Sequence, residues 1–312
     1  MSLHRRQFVA TAVAGGVCWA GSSSPAASDE SNSGDGAGRA FEISLAQWSL
    51  HRTLRDPKSG MTNLDFPSVA RQQFEIDAIE YVNQFWKDKA SDTTYLQQLQ
   101  TRCDDAGVKS LLIMVDGEGQ LGDPDRKARR RAINNHRPWL DAAAALGCHS
   151  IRVNAASRGN HGEQSRLAAD GLRRLSEIAA PMQLNVLVEN HGGWSSHAGW
   201  LAQTIKRVGM DNCGTLPDFG NFHLTRGEGG LEFNRYQGVK QLMPMAKAVS
   251  AKSHDFDDDG GERHTDYAKM MKIVREAGYR GHVGIEYEGD KLTEAEGILK
   301  TRDLLRRFQT QV

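Results

Sequence analysis

The chain has 312 residues, with 39 basic and 39 acidic side chains. That length holds one large α/β domain or two small ones. The even charge lends no support to a nucleic-acid or membrane-surface protein, which ordinarily carries a basic excess.

The first forty residues differ from the rest. "LHRRQFVATAVAGGVCWAG" starts charged, with Arg5 beside Arg6, then runs apolar from Phe8 to Ala20. The run is too short to span a bilayer comfortably. This is the layout of a secretory signal, and the paired arginines before Phe8 resemble the bacterial twin-arginine export signal, with His4 where Ser or Thr is usual. Small residues around Pro25-Ala26-Ala27 offer a cleavage point. Residues 1–27 are therefore expected to be the signal, leaving a periplasmic chain free of the membrane. Residues 28–40, rich in Ser, Gly and Asp, cannot bury a core and read as a flexible linker. One folded domain is expected over 41–312. Its cysteines, Cys103, Cys148 and Cys213, have no metal-type spacing and are odd in number, so they read as small buried residues.

From Phe41 onward, short apolar runs alternate with amphipathic stretches. Strands are predicted within 41–50, 78–85, 108–117, 148–155, 184–193, 213–222, 249–256 and 282–289. Between them, "TTYLQQLQTRCDDAG" puts Leu96, Leu99 and Cys103 on one helical face and stops at Gly107. "YAKMMKIVREAGY" does the same with Met270, Ile273, Val274 and Ala277 before Gly278. The basic run "DRKARRRAINNHR" follows Pro124 and reads as a solvated helix face. Eight strands alternating with helices imply right-handed crossovers and a parallel sheet. The fold class expected is a single-domain (β/α)8 TIM barrel. A doubly wound open sheet competes, although no Gly-x-Gly-x-x-Gly follows the first strand.

Polar residues recur near the strand ends: Gln47, Asn83, Asp116, Asn154, Glu189, Asp218, His254 and Glu286. The gaps are 36, 33, 38, 35, 29, 36 and 32 residues, each about one βα unit. In a barrel such positions converge on the C-terminal face, where active sites of this fold sit. Glu189, Asp218, His254 and Glu286 come from four consecutive units. Three carboxylates and one imidazole suit one divalent ion, Mn²⁺, Mg²⁺, Co²⁺ or Zn²⁺. Without it the carboxylates repel and their pKa values rise.

Further candidates follow from strand alternation. Lys252 shares a face with His254, His191 with Glu189, and Glu288 with Glu286. Asn221 and His223 follow Asp218 closely. These are candidate substrate contacts, the alternative being rim residues or buried ion pairs. Trp48 and Trp86 lie at strand ends, where they either stack on a sugar ring or cover the barrel mouth. Glu80 and Arg152 lie lower, in even-numbered strands, and read as a buried ion pair.

The stretches "VENHGG", "PDFGNF", "AKSHDF" and "GYRGHVGIEYEG" carry a resemblance. From about Phe41 to Phe308 the chain resembles the xylose isomerase-like TIM-barrel superfamily, in particular its sugar phosphate isomerase/epimerase branch. The resemblance implies one divalent metal held by Glu189, Asp218, His254 and Glu286. Its ketose 3-epimerases imply proton exchange by Glu189 and Glu286. They usually carry a His where this chain has Asn221, which puts their substrate in doubt here. The DNA-repair branch needs histidines that strands two and three lack.

The function expected is a metal-dependent sugar isomerase or epimerase, one glutamate taking a proton next to a carbonyl and the other returning it through a metal-stabilised enediolate. Two alternatives stay open. The same enolate in a 3-keto-glycoside would expel the glycosidic oxygen, making a lyase, or the barrel binds sugars without catalysis. The partner expected is a small carbohydrate, with no nucleic acid. A homo-oligomer built through the outer helices is compatible with the sequence.

Overall fold

The computed structural model describes residues 39–225, 227 and 229–310. The expected export signal and most of the expected linker lie outside the described residues.

Eight parallel strands run through the domain: β1 Glu42–Ala46, β2 Ala78–Val82, β3 Lys109–Met114, β4 Ser150–Val153, β5 Asn185–Glu189, β6 Cys213–Leu216, β7 Val249–Ser253 and β8 His282–Tyr287. They form one sheet in the order β6-β5-β4-β3-β2-β1-β8-β7. The sheet curls until its ends meet. At that seam Lys247 N donates to Thr215 O (3.1 Å), Ser250 N to Pro217 O (2.9 Å) and Phe219 N to Ser250 O (3.1 Å). The fold is a TIM barrel. Its seam sets Asp218 directly beside Ser250.

Alternation along the strands sorts the two cores. Ala46, Val82, Leu112, Met114, Leu187, Leu216 and Ala248 fill the barrel interior, and Trp48 and Phe85 pack on top of them. The residues between them face outward into the much larger layer under the helices. Burying apolar side chains on both faces is the main stabilising term for such a sheet.

The helices are α1 His51–Arg55, α2 Phe66–Phe74, α3 Thr93–Ala106, α4 Arg126–Ala145, α5 His161–Ala179, α6 Ala198–Val208, α7 Arg235–Leu242, α8 Tyr267–Glu276 and α9 Glu294–Gln309. α3 begins at Asp92, whose carboxylate accepts from Tyr95 N, and ends at Gly107 with φ 62°. It buries Leu96, Leu99 and Cys103, as its periodicity predicts. α8 buries Met270 and Val274, but also Tyr267 and Met271. α9 closes the domain on itself. Glu294, in its first turn, accepts hydrogen bonds from the backbone N–H groups of Arg52 and Thr53 and so caps α1. Cys103, Cys148 and Cys213 are free and buried. No helix among the described residues is long and apolar enough to cross a membrane.

Candidate active site at the barrel mouth

Two cation-centred clusters occupy the upper interior. The first is built on Arg152, which β4 points into the barrel. One guanidinium nitrogen reaches Asp116 Oδ1 at 2.7 Å, and Nε lies 2.9 Å from Glu189 Oε2. Asn154 also donates to Asp116 Oδ1, at 2.6 Å. Burial pushes the Asp116 carboxyl up, but Arg152 and these hydrogen bonds outweigh it and hold it below the usual range. The other oxygen of Glu189, Oε1, accepts from Asn221 Nδ2 at 2.7 Å.

The second cluster is built on Lys252. Its ammonium sits 2.7 Å from Glu286 Oε1, 3.1 Å from Glu288 Oε2 and 4.0 Å from Asp218 Oδ2. Ser250, one turn of the pleat lower on β7, donates to Asp218 Oδ2 (2.7 Å) and lies 3.1 Å from Glu286 Oε2. Asp218 Oδ1 accepts from the backbone of Gly220 and Asn221. Trp48 Nε1 donates to Glu288 Oε1.

Burial governs the two most enclosed carboxylates of this cluster, and charge governs the rest. Burial pushes Asp218 up to about 7 against the pull of Lys252, and it raises Glu286 in the same way. For the less enclosed Glu288, Lys252 outweighs burial and the carboxyl lies below its usual range. Burial alone would lower Lys252, but its carboxylate neighbours hold it well above the usual lysine value.

Backbone locks position the strand ends. Asn190 Nδ2 donates to Asp218 O (3.0 Å), while Asp218 N donates to Asn190 Oδ1 (2.8 Å). Asn83 and Asp116 make the same reciprocal pair, at 2.9 and 3.0 Å. Asn83 is thus the counterpart of Asn190 rather than of Glu189. Gln47 is likewise structural, accepting from Val82 N and donating to Asn63.

A cavity of about 490 Å³ opens beside the Lys252 cluster, with Asn221, His223, His254 and Glu288 in its wall. That volume lies in the range of small-molecule sites, roughly 300–1,000 Å³.

Several sequence expectations need correcting. His254 is not gathered with Glu189, Asp218 and Glu286. β7 ends at Ser253 and the chain turns outward, with His254 N bonded to Glu262. The half-exposed imidazole lies 3.9 Å from Glu288 Oε2 and edge-on to His264. The β7 side chains that reach both Asp218 and Glu286 are Ser250 and Lys252. Trp86 is buried in the outer layer, edge-to-face with Trp139 and Tyr81, because the residue that turns inward at the end of β2 is Phe85. Glu80 does not pair with Arg152. It accepts from Ser44 Oγ at 2.6 Å, while Arg152 reaches up to Asp116 and Glu189. His191 is exposed at the rim, its N–H bonded to Ser195 Oγ. Trp48 does sit at the mouth, stacked on His51 and under the Arg55 guanidinium. Glu189, Asp218, Glu286, Glu288, Asn221 and Lys252 do converge.

The donor set bears on the expected divalent ion. Each carboxylate oxygen of Glu189, Asp218, Glu286 and Glu288 has a donor or a cation beside it, and at Glu189 Oε2 this is the Arg152 charge alone, 2.9 Å away and not hydrogen-bonded. Among the described residues, no group of three or more His, Cys, Asp or Glu side chains is arranged to hold a metal. As arranged, these residues do not fit a metal centre.

Sequence reasoning missed Ser250 and the roles of Arg152, Asp116 and Asn190. A usable signal existed for Ser250. It alternates with Lys252 on the inward face of a run of which only five residues form strand, which leaves His254 beyond the strand.

A parallel barrel whose polar ring lies at the C-terminal strand ends defines the class. The chain belongs to the xylose isomerase-like TIM barrel family, whose model matches residues 70–308. No curated protein matches it significantly. Among solved structures it is similar to 3-keto-D-glucoside 4-epimerase from E. coli, with 15% identity over 86% of this chain and 99% of that one and a TM-score of 0.66. It is similar to D-psicose 3-epimerase from Clostridium cellulolyticum, with 10% identity over 87% and 100% and a TM-score of 0.67. A third is a xylose isomerase-like TIM barrel protein from Mycobacterium smegmatis in complex with magnesium, with 17% identity over 86% and 97% and a TM-score of 0.65. At these identities the likeness is one of fold.

Proposed function

We propose that the chain is an isomerase or epimerase of a small carbohydrate, moving a proton on a carbon next to a carbonyl. One observation carries this reading. Two buried glutamates from β5 and β8 each have one cation and one neutral polar side chain against them. Glu189 has Arg152 and Asn221, and Glu286 has Lys252 and Ser250.

That environment suits acid–base chemistry. A rigid carboxylate whose pKa is raised by burial, as at Glu286, moves toward the pH at which it can both take and return a proton. When a base removes the proton, charge grows on the carbonyl oxygen. A neighbouring ammonium or guanidinium stabilises that charge most in the transition state. Lys252 and Arg152 are the cations at hand. Return of the proton to the same carbon gives an epimer, and return to the adjacent carbon gives an isomer.

Support for a sugar substrate comes from family membership and from relatives named as epimerases of a keto-glucoside and of psicose. The metal implied by the resemblance finds support in a relative solved with magnesium, while the donor set of this chain speaks against it. The keto-glucoside relative also keeps a 3-keto-glycoside lyase in view, since it would use the same enolate. The paired arginines near the N-terminus support an exported, periplasmic enzyme, which cell fractionation would test.

The deciding experiment is solvent exchange. The purified chain is incubated in D₂O with a panel of ketoses and 3-keto-glucosides, and deuterium entry at carbon is followed by NMR. Exchange in the wild type that Glu286→Gln slows by about 10²–10⁴-fold supports the reading. Ligand binding without exchange would put the non-catalytic sugar-binding barrel first, and released aglycone would indicate the lyase.

A further inference from the structure

We infer that Lys252 is the resident cation of this site, filling the position among Asp218, Glu286 and Glu288 that the resemblance gives to a divalent ion, so that the barrel is metal-independent.

Three observations converge on it. The Lys252 ammonium makes contacts of 2.7 and 3.1 Å to two carboxylates from β8 and lies 4.0 Å from a third from the β6 turn. Side-chain relative exposure is only 3%, so these carboxylates, not water, balance its charge. A divalent ion binding the same oxygens needs contacts near 2.0–2.6 Å. It would then lie within a few ångströms of the ammonium, and two cations at that spacing in a buried site repel strongly.

The second observation is room made for the lysine stem. A Cβ on Gly220, in the turn after β6, would lie 2.9 Å from Lys252 Cγ. Tyr267 Oη also donates to Lys252 O at 2.9 Å and fixes the β7 backbone from the helix side. The lysine is therefore built into the barrel wall rather than collapsed onto the carboxylates.

The third is Ser250. Beside Lys252 it is the β7 residue within hydrogen-bond distance of both Asp218 and Glu286, and it supplies a neutral hydroxyl where an imidazole is expected. The hydroxyl has one hydrogen to share between these two carboxylates, 2.7 and 3.1 Å away, and its oxygen adds little to a cation site.

The test needs no substrate, so it stands apart from the proposed activity. Mn²⁺ binding to the full chain is followed by the EPR signal of the free ion, for wild type, Lys252→Met and Lys252→Arg. The wild type should bind no stoichiometric Mn²⁺, and neither chelator nor Mn²⁺ should shift its melting temperature. Lys252→Met removes the resident charge and should bind one Mn²⁺ at least about tenfold more tightly, with a metal-dependent rise in melting temperature. Lys252→Arg keeps the charge and should still exclude the ion, which holds even if the methionine variant does not fold. One equivalent of Mn²⁺ bound at micromolar affinity by the wild type overturns the inference. So does a folded Lys252→Met that binds no better than wild type.

Discussion

Lys252 and Glu286 are register partners across β7 and β8, and their charged ends meet at 2.7 Å inside the barrel. Removing one member of a buried pair strands the other, at a cost of about 3–5 kcal/mol. Glu286→Gln and Lys252→Met should each destabilise the domain for this reason. The double variant should be more stable than the sum of the two losses predicts, by about 1–3 kcal/mol. Urea unfolding of the four proteins measures the coupling, and strict additivity would mean that the pair does not act as a unit.

Glu80 lies below this cluster, with Oε1 on Ser44 and no hydrogen-bond partner for Oε2. Burial pushes its pKa from 4.5 up to about 7. Between those values the native state keeps a proton that the unfolded chain has lost. Unfolding free energy therefore falls as pH rises through that window, by on the order of 3 kcal/mol in all. Glu80→Gln should abolish this slope and become the more stable protein above pH 7. Denaturant curves across pH compare the two. Parallel pH profiles for wild type and variant would show that Glu80 is ionised throughout.

The same packing explains the glycine opposite Glu80. A Cβ on Gly284 would lie 2.5 Å from Glu80 Oε1, inside a closed interior that cannot yield. Gly284→Ala should destabilise by about 1–3 kcal/mol. Gly284→Ala in the Glu80→Ala background should recover much of that loss, because the clashing carboxyl is gone. Equal losses in both backgrounds would place the strain elsewhere.

The barrel was legible in the sequence because each unit repeats an apolar run and an amphipathic helix, and a period of about 35 residues survives local variation. The carboxylates Glu189, Asp218 and Glu286 were legible for the same reason. Depth within a strand was not. A one-unit count places a residue near a strand end without saying which rung it occupies, so His254 was selected although β7 stops at Ser253. Ser250 sits on the working rung and is chemically unremarkable in a sequence. Partner choice was equally hidden. Arg152 lies in the same layer pattern as Glu80 but reaches upward, because a long guanidinium can span to Asp116 and Glu189, and nothing in residue spacing reports side-chain direction.

The Asn190–Asp218 exchange of hydrogen bonds fixes where the β6 carboxylate enters the site. Asn190→Ala would leave a buried N–H and a buried carbonyl without these partners, costing about 1–3 kcal/mol. Asn83→Ala should cost a similar amount through Asp116. Proton exchange on substrate should suffer more from Asn190→Ala than from Asn83→Ala, since Asp218 stands in the Lys252 cluster. Losses within about 0.5 kcal/mol, typical of ordinary surface positions, would deny the locks their role.

Glu262 controls the segment that carries His254 to the cavity wall. Its Oε1 accepts from the N–H groups of His254 and Asp255, and its Oε2 from those of His264 and Thr265. One carboxylate thus ties both ends of the loop between β7 and α8. Glu262→Ala should release all four amides at once, and their hydrogen exchange should accelerate while amides of β7 itself stay protected. Glu262→Gln keeps one acceptor oxygen and should release mainly one end of the loop. If the His254 wall contributes to ligand binding, KM should rise in both variants, with kcat changed less, because the glutamates that move protons stay in place. Unchanged exchange at the four amides in Glu262→Ala would show that the loop is held by something other than this carboxylate.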